Sequence, residues 1–291
     1  MHKLAMLFAL SAFACGNDHA IEPDAAGPTD GFRTLISGPW TLSPSSEKYV
    51  CVRLTVTEDT YIKTIRPVAP VGTHHTVLML GAPDAPDGTV DCTSALARPA
   101  IYASGVGTLP LEMPAGVAVH VRPGQQLLLN LHLFNASDVQ LDGLSGVEIL
   151  EVDAASVQHE AGVVLVGKAI GLQVPPGDST QTGKCTTPAG ATVFAVMPHM
   201  HLMGRHMKVS YAETGGANAR VVFDEDYSFD EQRFHLIDPQ LVTAAGAKVT
   251  VDCTYFNPTG TTNTFGESTE QEMCFALSFV YPPPPVEECV Q

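Results

Sequence analysis

Positively charged residues are scarce in this sequence of 291 residues. It contains 15 Lys and Arg against 31 Asp and Glu, for a formal net charge of −16 at pH 7. Such a surface repels a phosphate backbone, so nucleic acid is not an expected partner. An acidic surface serves solubility, or it raises the local concentration of cations such as metal ions or amines.

Long apolar runs and amphipathic helical patterns are also missing from most of the chain. One apolar run, 4–13, follows Lys3 and is too short to cross a bilayer as a mature helix, which is typical of a signal peptide over residues 1–14. The segment 12–16 resembles a bacterial lipobox with Cys15 as the acylated residue. Residues 15–31 are then predicted to be a solvated lipoprotein tether. We therefore expect an exported protein, either a periplasmic or cell-surface lipoprotein of a bacterium or a secreted one.

Seven cysteines support an oxidising compartment. If Cys15 carries the lipid, the six others can form three bridges, although their spacing alone leaves the connectivity open.

Beyond residue 31, short β-type runs alternate with Gly, Pro, Asn and Asp. They include residues 49–57, 76–80, 126–134 and 161–170. This pattern predicts an all-β fold built from antiparallel sandwiches of the jelly-roll or Greek-key kind. An acidic, small-residue break near 150–158 predicts two domains, over residues 32–152 and 153–286, followed by a tail over 287–291.

The first half contains His74 and His75 in adjacent positions. Neighbouring residues of a flat strand point to opposite faces, so both can bind one ion only if a turn or strand end brings them together. Without such convergence they are a surface pair. His132 lies in the apolar strand 127–134, where it is either a hydrogen-bonded core residue or a third ligand, with Asn130 two residues away as its supporting residue.

The second half contains His199 and His201, which are expected to share one face of a strand and can therefore bind a single metal ion. Their neighbourhood is rich in sulfur, with Met197, Met200, Met203 and Met207 close in sequence. A thioether ligand favours Cu(I), but a methionine-rich strand is more often core, so any of these residues or none is a ligand on local grounds.

Taken together, these motifs resemble the copper type II, ascorbate-dependent monooxygenase family, which includes dopamine β-monooxygenase and the peptidylglycine α-hydroxylating monooxygenase. The resemblance covers residues 32–286 and rests on the order of six residues along the chain. They are His74, His75, His132, His199, His201 and Met273, the last within Glu272-Met273-Cys274.

The resemblance implies two consecutive jelly-roll-like antiparallel β-sandwich domains with a copper site in each, facing a shared cleft. One copper is expected on His74, His75 and His132, for electron transfer. The other is expected on His199, His201 and Met273, the catalytic site for O2 activation. Ascorbate is the implied electron donor, and O2 and a small molecule are the implied substrates.

The family's disulfides imply three bridges here, Cys51 with Cys92, Cys253 with Cys274 and Cys185 with Cys289. Thr76, Gly81 and Thr192 depart from the family pattern, and at Gly81 a family cysteine is missing. Met197, Phe275 and Leu277 replace polar residues that the peptide-hydroxylating enzyme uses for its substrate. An apolar or aromatic substrate without a carboxylate is therefore expected.

Two other functions remain open on the sequence alone. An exported copper chaperone or buffer would use the same ligands without hydroxylating a substrate. A non-catalytic surface protein of two sandwiches would use its histidines structurally and would bind no stoichiometric copper.

Overall fold

The structure is a computed structural model that describes residues 30–92, 98–187, 190–213, 218–283 and 288–290. The predicted signal peptide and Cys15 lie outside these residues, as does all of the predicted tether except its last two residues. Within the described ranges the fold is all-β, as predicted, and the one helical element is the 3-10 turn Ala154–Ser156. No helix in these ranges is long and apolar enough to span a membrane.

The N-terminal half forms two sheets. Its strands are β1 (Arg33–Leu42), β2 (Ser46–Thr55), β3 (Thr60–Val68), β4 (Thr73–Gly81), β5 (Gly88–Cys92), β6 (Ala100–Gly105), β7 (Leu111–Glu112), β8 (Val117–Val121), β9 (Gln126–Asn135), β10 (Leu141–Glu151) and β11 (His159–Glu160). One sheet has the order β1-β10-β3-β8-β11, with β7 beside β3, and the other has the order β5-β2-β9-β4-β6. Apolar side chains of both sheets join one buried core, to which Trp40, Ile65 and Leu129 belong.

The C-terminal half forms three sheets. Its strands are β12 (Gly162–Lys168), β13 (Gln173–Val174), β14 (Gly177–Thr186), β15 (Ala191–His199), β16 (Gly204–Ala212), β17 (Arg220–Asp226), β18 (His235–Thr243), β19 (Lys248–Asn257), β20 (Asn263–Thr264), β21 (Cys274–Tyr281) and β22 (Glu288–Val290). The sheet orders are β18-β15-β21-β12-β22, β14-β19-β16-β17 and β13-β20. A second core lies among these strands and includes Val209, Val251 and Tyr255.

Strand pairing stays within each half for all the strands named above. The halves nevertheless share buried apolar surface, because Phe194, Met197, Leu277 and Phe279 of the C-terminal half belong to the core of the N-terminal half. Strand β11 pairs with β8 of the N-terminal half although it lies after residue 153, so the change of sheet comes later than the predicted boundary. The division between residues 152 and 153 remains a prediction.

Strand β9 is central in its sheet and is buried on both faces. Leu127, Leu129 and Leu131 point into the core of the N-terminal half. By the two-residue period of a strand, Asn130 and His132 face the other way, and both are also buried. A polar residue on a strand buried on both faces requires a partner, so the outer face of this sheet is where a functional site is expected.

All three predicted disulfides are present. Cys51–Cys92 joins β2 to the end of β5, Cys185–Cys289 joins β14 to β22, and Cys253–Cys274 joins β19 to the first residue of β21. Cys274 of the third bridge directly follows Met273, so the bridge restrains the segment on which Met273 lies.

Candidate metal site

His75, His132 and Tyr49 form a row across three adjacent strands. His132 of β9 is the register partner of His75 on β4 and of Tyr49 on β2. His74 reaches the same place because the register between β4 and β9 shifts between Thr73 and His75, as in a β-bulge. A bulge at the start of the strand therefore brings both adjacent histidines to one site.

Three imidazole nitrogens converge in this group, which we call the His74 set (His74, His75 and His132). Nδ1 of His75 lies 3.2 Å from Nδ1 of His74 and 3.2 Å from Nδ1 of His132. Two nitrogens bound at about 2.0 Å to one tetrahedral ion lie about 3.3 Å apart, so these separations fit three ligands of a single metal ion. The set also meets the geometric requirement for a metal site as a whole, with its ligand atoms within 4.8 Å of one another.

The outer edges of these rings are held by neighbours. Nε2 of His132 lies 2.7 Å from a carboxylate oxygen of Glu47, and the ring of Tyr49 stacks on it at 4.4 Å between centroids. Phe229, from the C-terminal half, stacks on His74 at 4.0 Å. Because Nε2 of His132 faces Glu47, its Nδ1 is left with a lone pair that faces the other two histidines.

The second group, which we call the His199 set, consists of His199, His201 and Met273. His199 is the last residue of β15, while His201 lies in the turn before β16. The expectation that the two histidines share a strand face is therefore wrong. The turn brings the rings together instead, 5.3 Å apart and nearly perpendicular.

Both histidines of the His199 set have one nitrogen occupied and one free. Nδ1 of His199 hydrogen-bonds to the side-chain oxygen of Gln232 at 2.8 Å, and Nδ1 of His201 to the backbone oxygen of Gln271 at 3.0 Å. With a proton on each Nδ1, Nε2 carries the lone pair, and it is this atom of each ring that can bind a metal ion.

Glu272 fixes the two ends of this set relative to each other. Its fully buried carboxylate accepts hydrogen bonds from the backbone N–H groups of His201, Met203 and Met273, at 3.0, 2.7 and 3.3 Å. Burial raises the pKa of Glu272 to about 7 although these three hydrogen bonds favour the charged form. The residue ties the turn containing His201 to the segment containing Met273.

Four of the imidazoles, those of His74, His75, His199 and His201, are kept neutral by their surroundings. Burial, followed by the charge of neighbouring histidines, lowers the pKa of His74 and of His201 to about 3. Burial lowers the pKa of His199 to about 4 and that of His75 well below its ordinary value. At neutral pH these rings therefore offer lone pairs to a metal ion without first losing a proton.

The two sets lie next to each other where the halves meet. The rings of His75 and His199 are 5.4 Å apart, edge to face. Both sets border one cavity of about 80 Å³, which is lined by His75 from the first set and by all three members of the second. Most of its other walls are apolar side chains, among them Val163, Leu165, Met197, Phe275 and Leu277.

Arg98 is the one Lys or Arg among the described residues that line this cavity, and its guanidinium is already occupied. It is paired with Asp84 and donates to the backbone and side-chain oxygens of Gln126, at 3.1 and 3.0 Å. A substrate carboxylate would therefore find no uncommitted cation on these walls.

The methionines near the histidines differ in position. Met200 and Met207 are buried in the core of the C-terminal half, and Met203 packs against it. Met273 and Met197 line the cavity. Asn130, expected to support His132, instead donates towards the sulfurs of the Cys51–Cys92 bridge.

Sequence reasoning missed the residues that orient the rings, namely Glu47, Gln232, Gln271 and Phe229. None carries a motif of its own. Glu47 is 85 residues from His132, and Gln232 is 33 residues from His199, so only the folded chain brings them together.

Comparison with known proteins agrees with this chemistry. The family model for the C-terminal domain of copper type II ascorbate-dependent monooxygenases matches residues 159–291. The part of the chain from residue 159 to residue 291 therefore belongs to this domain family.

Curated relatives include a monooxygenase-like protein and a hydroxylase. The chain is 26% identical to DBH-like monooxygenase protein 1 of Gallus gallus over 217 residues, covering 69% of this chain and 35% of the relative. It is 27% identical to dopamine beta-hydroxylase of Rattus norvegicus over 218 residues, covering 70% and 35%. The matched region thus spans about a third of these longer relatives. The donor types found at the cavity, imidazole nitrogens and a thioether, are ones that suit copper.

Proposed function

We propose that the chain is a copper-dependent monooxygenase that hydroxylates a C–H bond of a small apolar or aromatic substrate, with O2 as oxidant and ascorbate as reductant. One oxygen atom enters the C–H bond to give a hydroxyl group and the other leaves as water, with two electrons and two protons supplied as ascorbate is oxidised. The observation that carries the proposal is the convergence of three imidazole nitrogens in the His74 set, next to a second group of two histidines and a methionine at the same apolar cavity.

The His74 set and the His199 set are proposed to hold one copper ion each. Bound there, the two ions would supply the one-electron redox chemistry that the reaction requires, and the thioether of Met273 would favour the Cu(I) state. The residues around them orient the rings, and the apolar walls keep water away from the cavity. We assign the substrate side to the His199 set, because all three of its members line the cavity while only His75 of the other set does.

The cavity supports the substrate class. Its volume of about 80 Å³ is smaller than the roughly 150 Å³ of an apolar cavity that binds benzene, so it suits a small substrate or one group of a larger one. Met197, Phe275 and Leu277 give it apolar walls, and the occupied guanidinium of Arg98 offers no anchor for an acid.

We also propose two consecutive jelly-roll-like sandwiches with the copper sites facing a cleft between them, and export from the cytoplasm. Strand pairing confined to each half supports the first, and three disulfides support the second.

The test uses the full chain loaded with copper and given ascorbate, 18O2 and a panel of small alkylbenzenes. We expect two copper ions per chain and 18O in a hydroxylated product. His132→Ala and His199→Ala should each remove one ion and abolish the product, whereas His159→Ala, at an exposed histidine outside the site, should change neither. Two bound ions without a labelled product from any compound would favour a copper chaperone or buffer. No stoichiometric copper would indicate structural histidines.

A further inference from the structure

We propose that Glu47 is a positioning residue that couples the two ligand sets. One carboxylate orients His132 of the His74 set and also holds the segment that leads to Met273 of the His199 set. The proposal rests on the proposed function, because it assumes that both sets bind copper.

The first contact of Glu47 is with a ring whose other nitrogen belongs to the His74 set. Oε1 of Glu47 lies 2.7 Å from Nε2 of His132, a side chain that is only 1% exposed. Tyr49, two residues along β2 and therefore on the same face, covers the flat side of this ring. Glu47 thus fixes which nitrogen carries the proton, and Tyr49 fixes the plane of the ring.

The second contact reaches the other half of the molecule. Oε2 of Glu47 accepts a hydrogen bond of 3.2 Å from the hydroxyl of Thr269, a buried residue 222 positions later. The hydroxyl of Tyr49 donates to the backbone oxygen of Glu267 at 2.6 Å. Both residues of β2 therefore bind the segment 267–269, and the same two residues contact His132.

That segment is tied internally to the His199 set. The backbone N–H of Gln271 donates to the oxygen of Ser268 at 2.9 Å, and the oxygen of Gln271 accepts from Nδ1 of His201. Glu272 follows, with its bonds to the N–H groups of His201 and Met273. A displacement of Thr269 is thus transmitted to both His201 and Met273 over four residues of chain.

The alternative is that Glu47 only supports His132, since many metal-bound histidines donate a hydrogen bond to a carboxylate. The two readings differ in what they predict for the His199 set. An outer partner of His132 affects copper at the His74 set alone. A coupling residue affects both, and Thr269→Val, which leaves Glu47 and His132 untouched, affects the His199 set.

The experiment measures Cu(I) affinity of the full chain by competition with a chromophoric chelator. A His75→Ala background disables the His74 set, so that the His199 set is measured alone. In this background we expect Glu47→Ala and Thr269→Val each to weaken Cu(I) binding by about 10-fold. Glu47→Gln, which can keep both hydrogen bonds, should stay within about 3-fold of the background protein. Glu112→Ala and Thr180→Val, at exposed strand positions, are the matched controls and should have no effect.

X-ray absorption of the Cu(I)-loaded background protein gives a second readout, since Thr269→Val should weaken the copper–sulfur signal of Met273. Melting temperatures identify variants that fail to fold. If Glu47→Ala does not fold, Thr269→Val decides the test by itself. Unchanged affinity at the His199 set in Thr269→Val, or in a folded Glu47→Ala variant, would overturn the coupling. A parent chain that binds no copper at either set would instead overturn the proposed function.

Discussion

Gln232 accepts a 2.8 Å hydrogen bond from Nδ1 of His199, although its own backbone is bound to the opposite half of the molecule. Its backbone oxygen accepts from the N–H of Gly105 and from the hydroxyl of Thr108, and its N–H donates to the oxygen of Val106. The approach is so close that a Cβ on Gly105 would lie 2.4 Å from the Cβ of Gln232. A residue anchored to the N-terminal half therefore orients a ligand candidate of the C-terminal half.

Gln232→Leu should weaken copper binding at the His199 set. The substitution keeps the volume of the side chain but removes the acceptor that selects the Nδ1–H form of His199. Loss of such a partner weakens metal affinity by roughly 10–100-fold. Copper titration in the His75→Ala background measures the effect, and Gln140→Leu, at an exposed glutamine, is the matched control. Native affinity in Gln232→Leu would mean that packing alone orients the ring.

The copper-free protein should lose stability as the pH falls below neutral. His74 and His201 have pKa values of about 3 in the folded chain and about 6.5 when unfolded, so the unfolded chain binds more protons between these values. Their contribution is fully present above pH 6.5 and is lost as the pH falls towards 3. Between pH 6.5 and 5 each group should lower the free energy of unfolding by about 2 kcal/mol.

The raised pKa of Glu272 acts in the opposite direction, because the folded chain binds more protons there between the ordinary carboxyl pKa and about 7. The measurement is therefore a difference, taken from urea unfolding of copper-free protein at pH 7, 6 and 5. His74→Gln should show a shallower pH dependence than the parent chain, whereas His159→Gln should match it. Equal slopes for the parent and His74→Gln would contradict a buried, neutral His74.

Glu272→Gln should destabilise the fold and loosen the His199 set together. An amide has one acceptor oxygen where the carboxylate has two, so its NH2 group must face at least one of the N–H groups of His201, Met203 and Met273. An unsatisfied buried donor costs about 1–3 kcal/mol. Thermal unfolding of the apo-protein tests this, with exposed Glu270→Gln as the control. An unchanged melting temperature would argue against the bracing role of the carboxylate.

The sequence predicted the parts of this molecule that depend on local pattern. Alternating apolar residues indicated strands such as β9, and the family resemblance supplied the three disulfides now found. What it could not predict depends on irregular backbone and on distant contacts. The bulge that brings His74 beside His75 cannot be predicted from composition. The alternation of residues along a strand likewise does not show that β15 ends at His199.

The residues that orient the rings escaped prediction for a related reason. Glu47 and Gln232 are ordinary polar residues until the fold places them beside a histidine, and their partners lie on other strands. Conversely, Met273 was chosen over nearer methionines by resemblance alone. The core positions of Met200 and Met207 narrow that choice, since only Met197 and Met273 of the methionines considered line the cavity.

Met273→His tests the remaining choice most directly. A nitrogen in place of the thioether should retain an ion at the His199 set but shift its preference from Cu(I) to Cu(II), so product formation should fall steeply while folding survives. If Met273 is only a core residue that contacts its neighbours, the polar ring of the introduced histidine should instead lower the melting temperature. The folded fraction should then keep its activity. Copper content, melting temperature and ascorbate-dependent turnover on one preparation separate these outcomes.

Leucine substitutions at the two cavity methionines test which of them is a copper ligand, because leucine keeps the approximate size of the side chain and removes the sulfur. Met273→Leu should lose the copper–sulfur signal and bind Cu(I) more weakly at the His199 set, whereas Met197→Leu should retain both and change only the preference among substrates. The reverse pattern would assign the thioether to Met197, on β15 two residues before His199. Retention of the sulfur signal and of full turnover in both variants would exclude either methionine as a copper ligand.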